Sequence, residues 1–322
     1  MATKFAIEKL VTVFGGSGFL GRHVVRALAQ RGYRIRVAVR RPALAGYLQP
    51  MGRVGQIHAV QANLRYPDSV AAALRDADVA INLVGLMLER GGQRFDAIMT
   101  QGAETVAKAA SAVGAPLVHV SSLSAEPESA SHYARTKGEG EELVRAAQNG
   151  AIIVRPSILF GPEDDFFNRF AAMSRLMPLL PLVGGGHTRM QPVFAGDVAE
   201  GIAKAVDGEL KSGTTYEFGG PGVYSFKALM EILMAEIDVK RFLVPLPWAL
   251  ARFQAGIAEW VPGKPLTRDQ VELLKYDNVV SSGHPGLAEL GVTPSAVELI
   301  LPTFLDRFVK GGRLGRQGRT VP

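Results

Sequence analysis

Tyr133 and Lys137 stand four residues apart where a helix is expected to begin, a separation that puts both side chains on one helical face. A lysine beside a phenol lowers the phenol pKa and makes it a proton donor or acceptor near neutral pH. A second group lies near the N-terminus, where Val11-Thr-Val-Phe-Gly15-Gly16-Ser17-Gly18-Phe19-Leu20-Gly21-Arg22 runs an apolar strand into closely spaced glycines and then an amphipathic helix. Glycines allow the tight turn and the close approach of phosphates, while free N–H groups at the helix start attract anionic oxygens. The glycines fit two registers, Gly16-x-Gly18-x-x-Gly21 and Gly15-x-x-Gly18-x-x-Gly21. The predicted chemistry is binding of a dinucleotide pyrophosphate by Gly15 to Gly21, including Ser17, Phe19 and Leu20, with Arg22 as a further phosphate contact. The alternative is a glycine-rich turn that holds nothing.

A site that prefers NAD places an acid about 20 residues past the glycines, on the ribose 2′-hydroxyl. Arg40 and Arg41 occupy that place here. Adjacent guanidiniums can fork onto the oxygens of a 2′-phosphate, which favours NADP(H) over NAD(H). The competing reading is a solvated basic strand end, since Arg34 and Arg36 sit on the same strand.

These groups need strands and helices to position them. Leu10 to Phe14, Gly21 to Arg31 and Arg34 to Val39 complete a strand–helix–strand unit. Further strands are expected at Gln56 to Ala62, Val79 to Val84, Leu117 to Ser121 and Ala151 to Arg155, alternating with helices at Pro67 to Asp76, Phe95 to Ala112 and Tyr133 to Gln148. This alternation predicts an α/β fold, a doubly wound (Rossmann) parallel sheet with helices on both faces. Ligands of such sheets gather at the carboxyl ends of the strands, so Gly15, Arg40, Gly85, Ser122 and Pro156 are expected to face one crevice. Past residue 160 the alternation loosens: Asp197 is expected to cap a helix through Val206, with a short strand from Tyr216 to Gly219 and a helix from Ser225 to Ile237. The division expected is a nucleotide-binding core over residues 1–160, a smaller substrate or partner lobe packed on it over 161–309, and a basic flexible tail over 310–322.

Composition narrows the function. The absence of cysteine excludes a disulfide framework and any thiolate ligand or nucleophile, and none of the six histidines has metal-ligand spacing with another, so no metal is expected. The net charge of +6 points to anionic neighbours, yet the basic residues are dispersed and no aromatic-basic module occurs, so nucleic acid is not an expected partner. No apolar run reaches signal-peptide or membrane-spanning length.

The motifs together resemble the extended or atypical short-chain dehydrogenase/reductase superfamily. They are the glycine pattern, Val120-Ser121-Ser122, Tyr133-x-x-x-Lys137, Arg155-Pro156-Ser157, Gly161-Pro162 and Gln191-Pro-Val-Phe-Ala-Gly-Asp197-Val-Ala. The resemblance implies that Tyr133 is the acid/base, that Lys137 holds the nicotinamide ribose, and that a hydroxyl polarises the reacting carbonyl. The residue directly after the serine pair, where the superfamily places that hydroxyl, is Leu123; Ser122 and Ser124 flank it, and Ser122 is the catalytic candidate. Asn63 stands where an acid often accompanies adenine binding. The nicotinamide dinucleotide implied is NADP(H), as NADPH, lined also by Asn63, Leu64, Val84, Gly85, Ser121, Tyr133, Lys137, Pro156, Ser157 and Ile158.

Five further stretches resemble one subgroup, the nucleotide-binding accessory subunits of respiratory complex I, NADH:ubiquinone oxidoreductase. They are Gln49-Pro-Met-Gly-Arg-Val-Gly-Gln56, Val79-Ala-Ile-Asn-Leu-Val-Gly85, Gly161-Pro-Glu-Asp-Asp-Phe-Phe-Asn168, Leu266-Thr-Arg-Asp-Gln-Val-Glu272 and His284-Pro-Gly-Leu-Ala-Glu-Leu-Gly291. The subgroup implies tightly held NADPH and a mainly structural role beside other complex I subunits near the quinone-binding region. The absence of an organelle-type presequence points to a bacterial version, peripheral on the cytoplasmic side of the inner membrane. The stretch from Phe242 to Val261 holds both tryptophans and many large apolar residues, and reads either as an amphipathic helix on a partner or on lipid headgroups, or as cover for the protein's own core. The alternative function is an active NADPH-dependent reductase or epimerase of the same fold, acting on a quinone-related substrate.

Overall fold

Valine, isoleucine and phenylalanine fill the strand starting at Leu10 and its neighbours so completely that only a sheet covered on both faces can bury them. The computed structural model, which describes residues 9–261 and 266–311, has such a sheet. Its elements are β1 (Leu10–Phe14), α1 (Phe19–Gln30), β2 (Arg34–Val39), β3 (Ile57–Gln61), α2 (Pro67–Leu74), β4 (Val79–Asn82), α3 (Gln101–Ala112), β5 (Leu117–Val120), α4 (His132–Ala147), β6 (Ile152–Pro156), α5 (Ala195–Asp207) and β7 (Thr215–Phe218). The strand order is β7-β6-β5-β4-β1-β2-β3, with β1 to β6 paired in parallel. The order reverses between β1 and β4, the switch point at which α/β sheets open a crevice.

The chain forms two compact units. One holds the chain up to Pro156 with Gly196–Glu217 and Ser282–Val292; the other holds Ser157–Ala195, Phe218–Ser281 and the chain from Thr293. In the first, the helices bury small and branched residues on the sheet: α1 turns Leu20, Val24, Val25 and Leu28 inward, and α3 turns Ala103, Val106, Ala107 and Ala110. The second unit is built around Phe160, Phe167, Leu182, Phe226, Leu229, Met230 and Leu233, with Leu301 and Leu305.

Several elements differ in detail from expectation. The fourth strand stops at Asn82 rather than Val84, because the Asn82 side chain accepts the Val84 N–H at 3.1 Å and draws the chain out of the ladder. The helix expected over Phe95 to Ala112 opens with a π-helical turn, Asp96–Thr100, before α3. Helix α5 starts at Ala195, so Asp197 lies in its first turn instead of capping it; an acid is favoured by the positive helix end in either place. A 3-10 helix over Pro42–Met51 has no counterpart in the expected pattern. The stretch from Phe242 is not one helix. Phe242–Leu246 is a strand paired in parallel with Leu179–Val183, and a helix runs only over Trp248–Ala258. That helix buries Ala251 and Ala255 and leaves Phe253 67% exposed, with Trp260 beyond it 89% exposed. Among the described residues no helix is long and apolar enough to cross a membrane. The basic tail expected over 310–322 falls outside the described residues beyond Gly311, as do the first eight residues.

Helix α4 approaches its neighbours through two buried glycines. A Cβ at Gly138 would lie 2.5 Å from the backbone nitrogen of Pro127, and one at Gly140 would overlap the carbonyl oxygen of Met99. Backbone cannot yield as a flexible side chain can, so Gly140→Ala is expected to destabilise the protein by about 1–3 kcal/mol, the usual cost of overpacking. Urea unfolding of the two proteins measures it, and an unchanged midpoint would contradict the close seating of α4.

Candidate functional site

The turn between β1 and α1 is shaped by three glycine requirements. Gly15 has φ +78°, a conformation that side chains with a Cβ rarely adopt, and its carbonyl accepts the Gly18 N–H at 2.9 Å. A Cβ at Gly21 would lie 2.6 Å from the Gly16 Cα, so the helix can sit on the turn only without one. A Cβ at Gly16 would lie 2.9 Å from a Val37 methyl, which sets how closely the turn lies on β2. Gly18 caps α1 without a side-chain hydrogen bond, and the first turn carries no acid. The positive end of the helix therefore lacks a compensating acid of its own, a setting that favours an anion. Leu20 is buried, Phe19 packs edge-on against His23 with centroids 5.8 Å apart, and Arg22 donates from Nε to the Gly18 carbonyl at 3.4 Å.

Arg40 and Arg41 follow the end of β2, both exposed, and neither makes an ion pair among the described residues. After β3, Asn63 accepts the Arg65 N–H at 3.2 Å through its side chain, while Leu64 is buried beneath Gly102. After β4, Val84 packs beside Gly15, and Gly85 leaves room next to Lys137, whose Nζ would lie 3.6 Å from a Cβ there.

Lys137 is buried, and its Nζ donates to the carbonyl of Val120 at the end of β5, 3.1 Å away. Burial pushes its pKa down to about 8, against an opposing pull from Glu141. Glu141, one turn further along α4, is gripped by the Arg155 guanidinium of β6 through two bonds of 2.9 and 2.7 Å. This bidentate pair fixes the rotation of α4 and hence the face that carries Tyr133 and Lys137. Tyr133 is partly buried, its ring edge-on to Phe95 at 5.9 Å.

Ser121 is buried, its Oγ without a partner among the described residues, and its backbone N–H donates to the Val154 carbonyl. The Ser122 hydroxyl pairs with that of Ser124 at 2.9 Å, and Leu123 between them donates its N–H to the Pro156 carbonyl. The structure thus brings Gly15, Val84, Gly85 and Lys137 side by side, and likewise Leu123 and Pro156. Ser157 and Ile158 belong to the second unit, where both bond to the Asn278 side chain, at 2.7 and 3.1 Å.

Sequence reasoning missed three features. Asn82 and His119 meet inside the sheet, Nδ2 to Nδ1 at 3.2 Å, and burial followed by the nearby Lys137 charge drives the imidazole pKa down to about 3. The signal was a polar residue in each of two otherwise apolar strands. Glu89, Asp96 and His132 bring one ligand atom each within 4.8 Å; the His132–Asp96 contact of 3.1 Å ties the π-helical turn to the start of α4. Tyr47, on the 3-10 helix, donates its hydroxyl to the Ser17 carbonyl at 2.6 Å.

A fold of this order with a glycine-seated first helix and a Tyr-x-x-x-Lys helix defines a nucleotide-binding class. The family model of the NAD dependent epimerase/dehydratase family matches residues 11–219. Rat NADH dehydrogenase (ubiquinone) 1 alpha subcomplex subunit 9, mitochondrial, is 35% identical over 294 residues, 90% of this chain and 78% of that one. A ceramide reductase of Caulobacter vibrioides is 39% identical over 174 residues, 54% of each chain. The crystal structure of Thermus thermophilus UDP-glucose 4-epimerase in complex with NAD superposes with a TM-score of 0.69 over 92% of this chain and 98% of that one at 20% identity, a likeness of fold. The chain belongs to the NAD dependent epimerase/dehydratase family and, within it, to the group of complex I accessory subunits that the rat protein represents.

The Lys137 pKa near 8 lies below its ordinary 10.5, so between those values the unfolded chain binds more protons than the folded one. The burial penalty is therefore full below pH 8 and fades as the pH rises toward 10.5. The stability of the wild type relative to Lys137→Met, read by urea unfolding, is expected to rise with pH across that window. A difference that stays flat would mean that the ammonium is not desolvated.

Proposed function

We propose that this chain is an NADP(H)-binding accessory subunit of NADH:ubiquinone oxidoreductase, with a mainly structural or assembly role and a tightly held nucleotide, NADPH. The observation that carries the reading is the extent of similarity: identity to a subunit of that enzyme runs over 90% of the chain, well past the residues that a nucleotide fold alone requires. In this reading residues 1–160 bind the nucleotide and residues 161–309 meet other subunits near the quinone-binding region, peripherally and on the cytoplasmic side of a bacterial inner membrane, with the exposed Phe253 and Trp260 available to lipid or protein.

Dinucleotide binding has its own support in the glycine turn, which only glycines leave open, the helix end without an acid, and the buried ammonium of Lys137. When bound, such a cofactor supplies hydride chemistry. The residues here would hold the pyrophosphate at Gly15 to Gly21 and a ribose at Lys137, while Arg40 and Arg41 meet a 2′-phosphate. Carbonyl activation is less well provided for. Leu123 cannot donate a side-chain hydrogen bond, and the Ser122 and Ser124 hydroxyls bond to each other at 2.9 Å, so one of their two protons is spent between them and one is left to donate. One oxyanion donor is typically worth about 3 kcal/mol of the barrier.

A second reading, an active NADPH-dependent reductase or epimerase on a quinone-related substrate, is favoured by the similarity to a reductase over half the chain and by the intact Tyr133 and Lys137. Affinity purification from gently solubilised native membranes separates the two. The chain is expected to come down with the subunits of the respiratory complex, and Tyr133→Phe to leave NADH:ubiquinone activity within about twofold of wild type, under 0.5 kcal/mol of barrier. Recovery of the chain alone, with carbonyl turnover that Tyr133→Phe abolishes, would replace the subunit reading by the enzyme reading. For the cofactor, the Arg40→Ala/Arg41→Ala double variant is expected to lose tenfold or more of its NADPH affinity, about 1.4 kcal/mol, with NADH affinity little changed. Equal losses for both nucleotides would contradict a 2′-phosphate site.

A further inference from the structure

The 3-10 helix Pro42–Met51 follows Arg40 and Arg41 directly and is anchored by Ala45 and Leu48, both buried. Tyr47, between those anchors, points away from the core: it is 43% exposed, so burial does not account for its placement. What accounts for it is the glycine turn. Its hydroxyl donates to the Ser17 carbonyl at 2.6 Å, and the Arg22 guanidinium lies over its ring, 5.2 Å from the centroid. Arg22 is held on two sides, since its Nε also reaches the Gly18 carbonyl at 3.4 Å. A guanidinium held over a ring and bonded at Nε is restrained in rotation, which favours one placement of its fork beside the first turn of α1.

We propose that Tyr47 is a positioning residue of the nucleotide site, a clasp that ties the segment after β2 to the glycine turn, sets Arg22 for a phosphate oxygen and slows release of the 2′-phosphorylated nucleotide. This rests on the reading of the turn as a dinucleotide site. The clasp joins two parts of that site that lie far apart along the chain, Ser17 being bonded to Tyr47 across a separation of 30 residues. Opening it requires breaking the hydroxyl bond and the cation–π contact of Arg22 together. Release of a ligand held at both the turn and the Arg40–Arg41 end therefore waits on that opening, whereas a nucleotide without the 2′-phosphate engages only one side.

The test is the dissociation rate of NADPH and of NADH from the full-length chain, followed by nicotinamide fluorescence after a chase with excess NADP+. Wild type is compared with Tyr47→Phe, Tyr47→Ala, Arg22→Gln and the Tyr47→Ala/Arg22→Gln pair, with melting temperatures taken without nucleotide. Tyr47→Ala is expected to speed NADPH release about tenfold, Tyr47→Phe by less because it keeps the ring, and NADH release by under about threefold; such factors are typical of an exposed stacked cation with one hydrogen bond. The pair is expected to release NADPH no faster than the faster single variant, because both substitutions open the same clasp. Release of NADPH at the wild-type rate from Tyr47→Ala, or from Tyr47→Phe and Arg22→Gln if the alanine variant melts early, would overturn the proposal. A wild-type chain that binds neither nucleotide would instead overturn the dinucleotide reading itself.

Discussion

The approach of α1 to the turn at Gly15 and Gly16 is the constraint on which the rest of the first unit depends. Backbone lies on backbone there, with no side chain between, and a Cβ at Gly21 would fall 2.6 Å from the Gly16 Cα. That seating lets β1 pair with β2 and β4 on its two sides while α1 covers it, and it leaves the helix end without a capping side chain or acid. Helix α4 uses the same device, with Gly138 and Gly140 against the backbone of Pro127 and Met99. The two helices that carry the candidate nucleotide groups are thus both seated directly on neighbouring backbone. Precision in placing an N–H row or an ammonium comes from contacts that cannot slide, which small residues against backbone provide better than interdigitating side chains.

Electrostatically this unit gathers positive charge. An ammonium has three donors, and the buried Lys137 gives one of them to a carbonyl at the end of β5. Burial without full pairing is costly, and the depressed pKa is the sign of that cost. Glu141, the acid that pulls the other way, is already committed to Arg155, so it orients the helix more than it neutralises the lysine. Exposed Arg40 and Arg41 and the positive end of α1 add to the same imbalance.

How much of this was legible from the sequence follows from how local each signal is. The parallel sheet was legible because its strands are mostly apolar and alternate with helices of crossover length, and the glycine turn because Gly15 and Gly21 answer backbone requirements within a few residues. The end of β4 was not, since it depends on the Asn82 side chain turning back to Val84. The strand Phe242–Leu246 reads as part of a helix because its partner, Leu179–Val183, lies far earlier in the chain, and each strand carries a proline that a two-stranded edge tolerates. Tyr47 was invisible for the same reason: nothing near it in sequence announces Ser17 or Arg22. The chemical identities of the site were local, and the contacts that hold them in place were not.

Binding and turnover make different demands on the same fold. In the subunit reading, binding draws on the glycine turn, the ammonium and the guanidiniums, whereas turnover would also draw on a donor at the developing oxyanion; the residue after the serine pair is Leu123, its N–H bonded to the Pro156 carbonyl. A ligand that binds the folded state alone stabilises it by RT ln(1 + [L]/Kd), about 4 kcal/mol at a thousandfold excess over Kd. That is a large fraction of the roughly 5–15 kcal/mol that holds a typical domain together. Under the subunit reading, a dinucleotide that is held and not consumed acts as part of the folded structure. In that reading it offsets positive charge around Lys137 and stiffens the first unit, and such a protein has no need of an oxyanion donor.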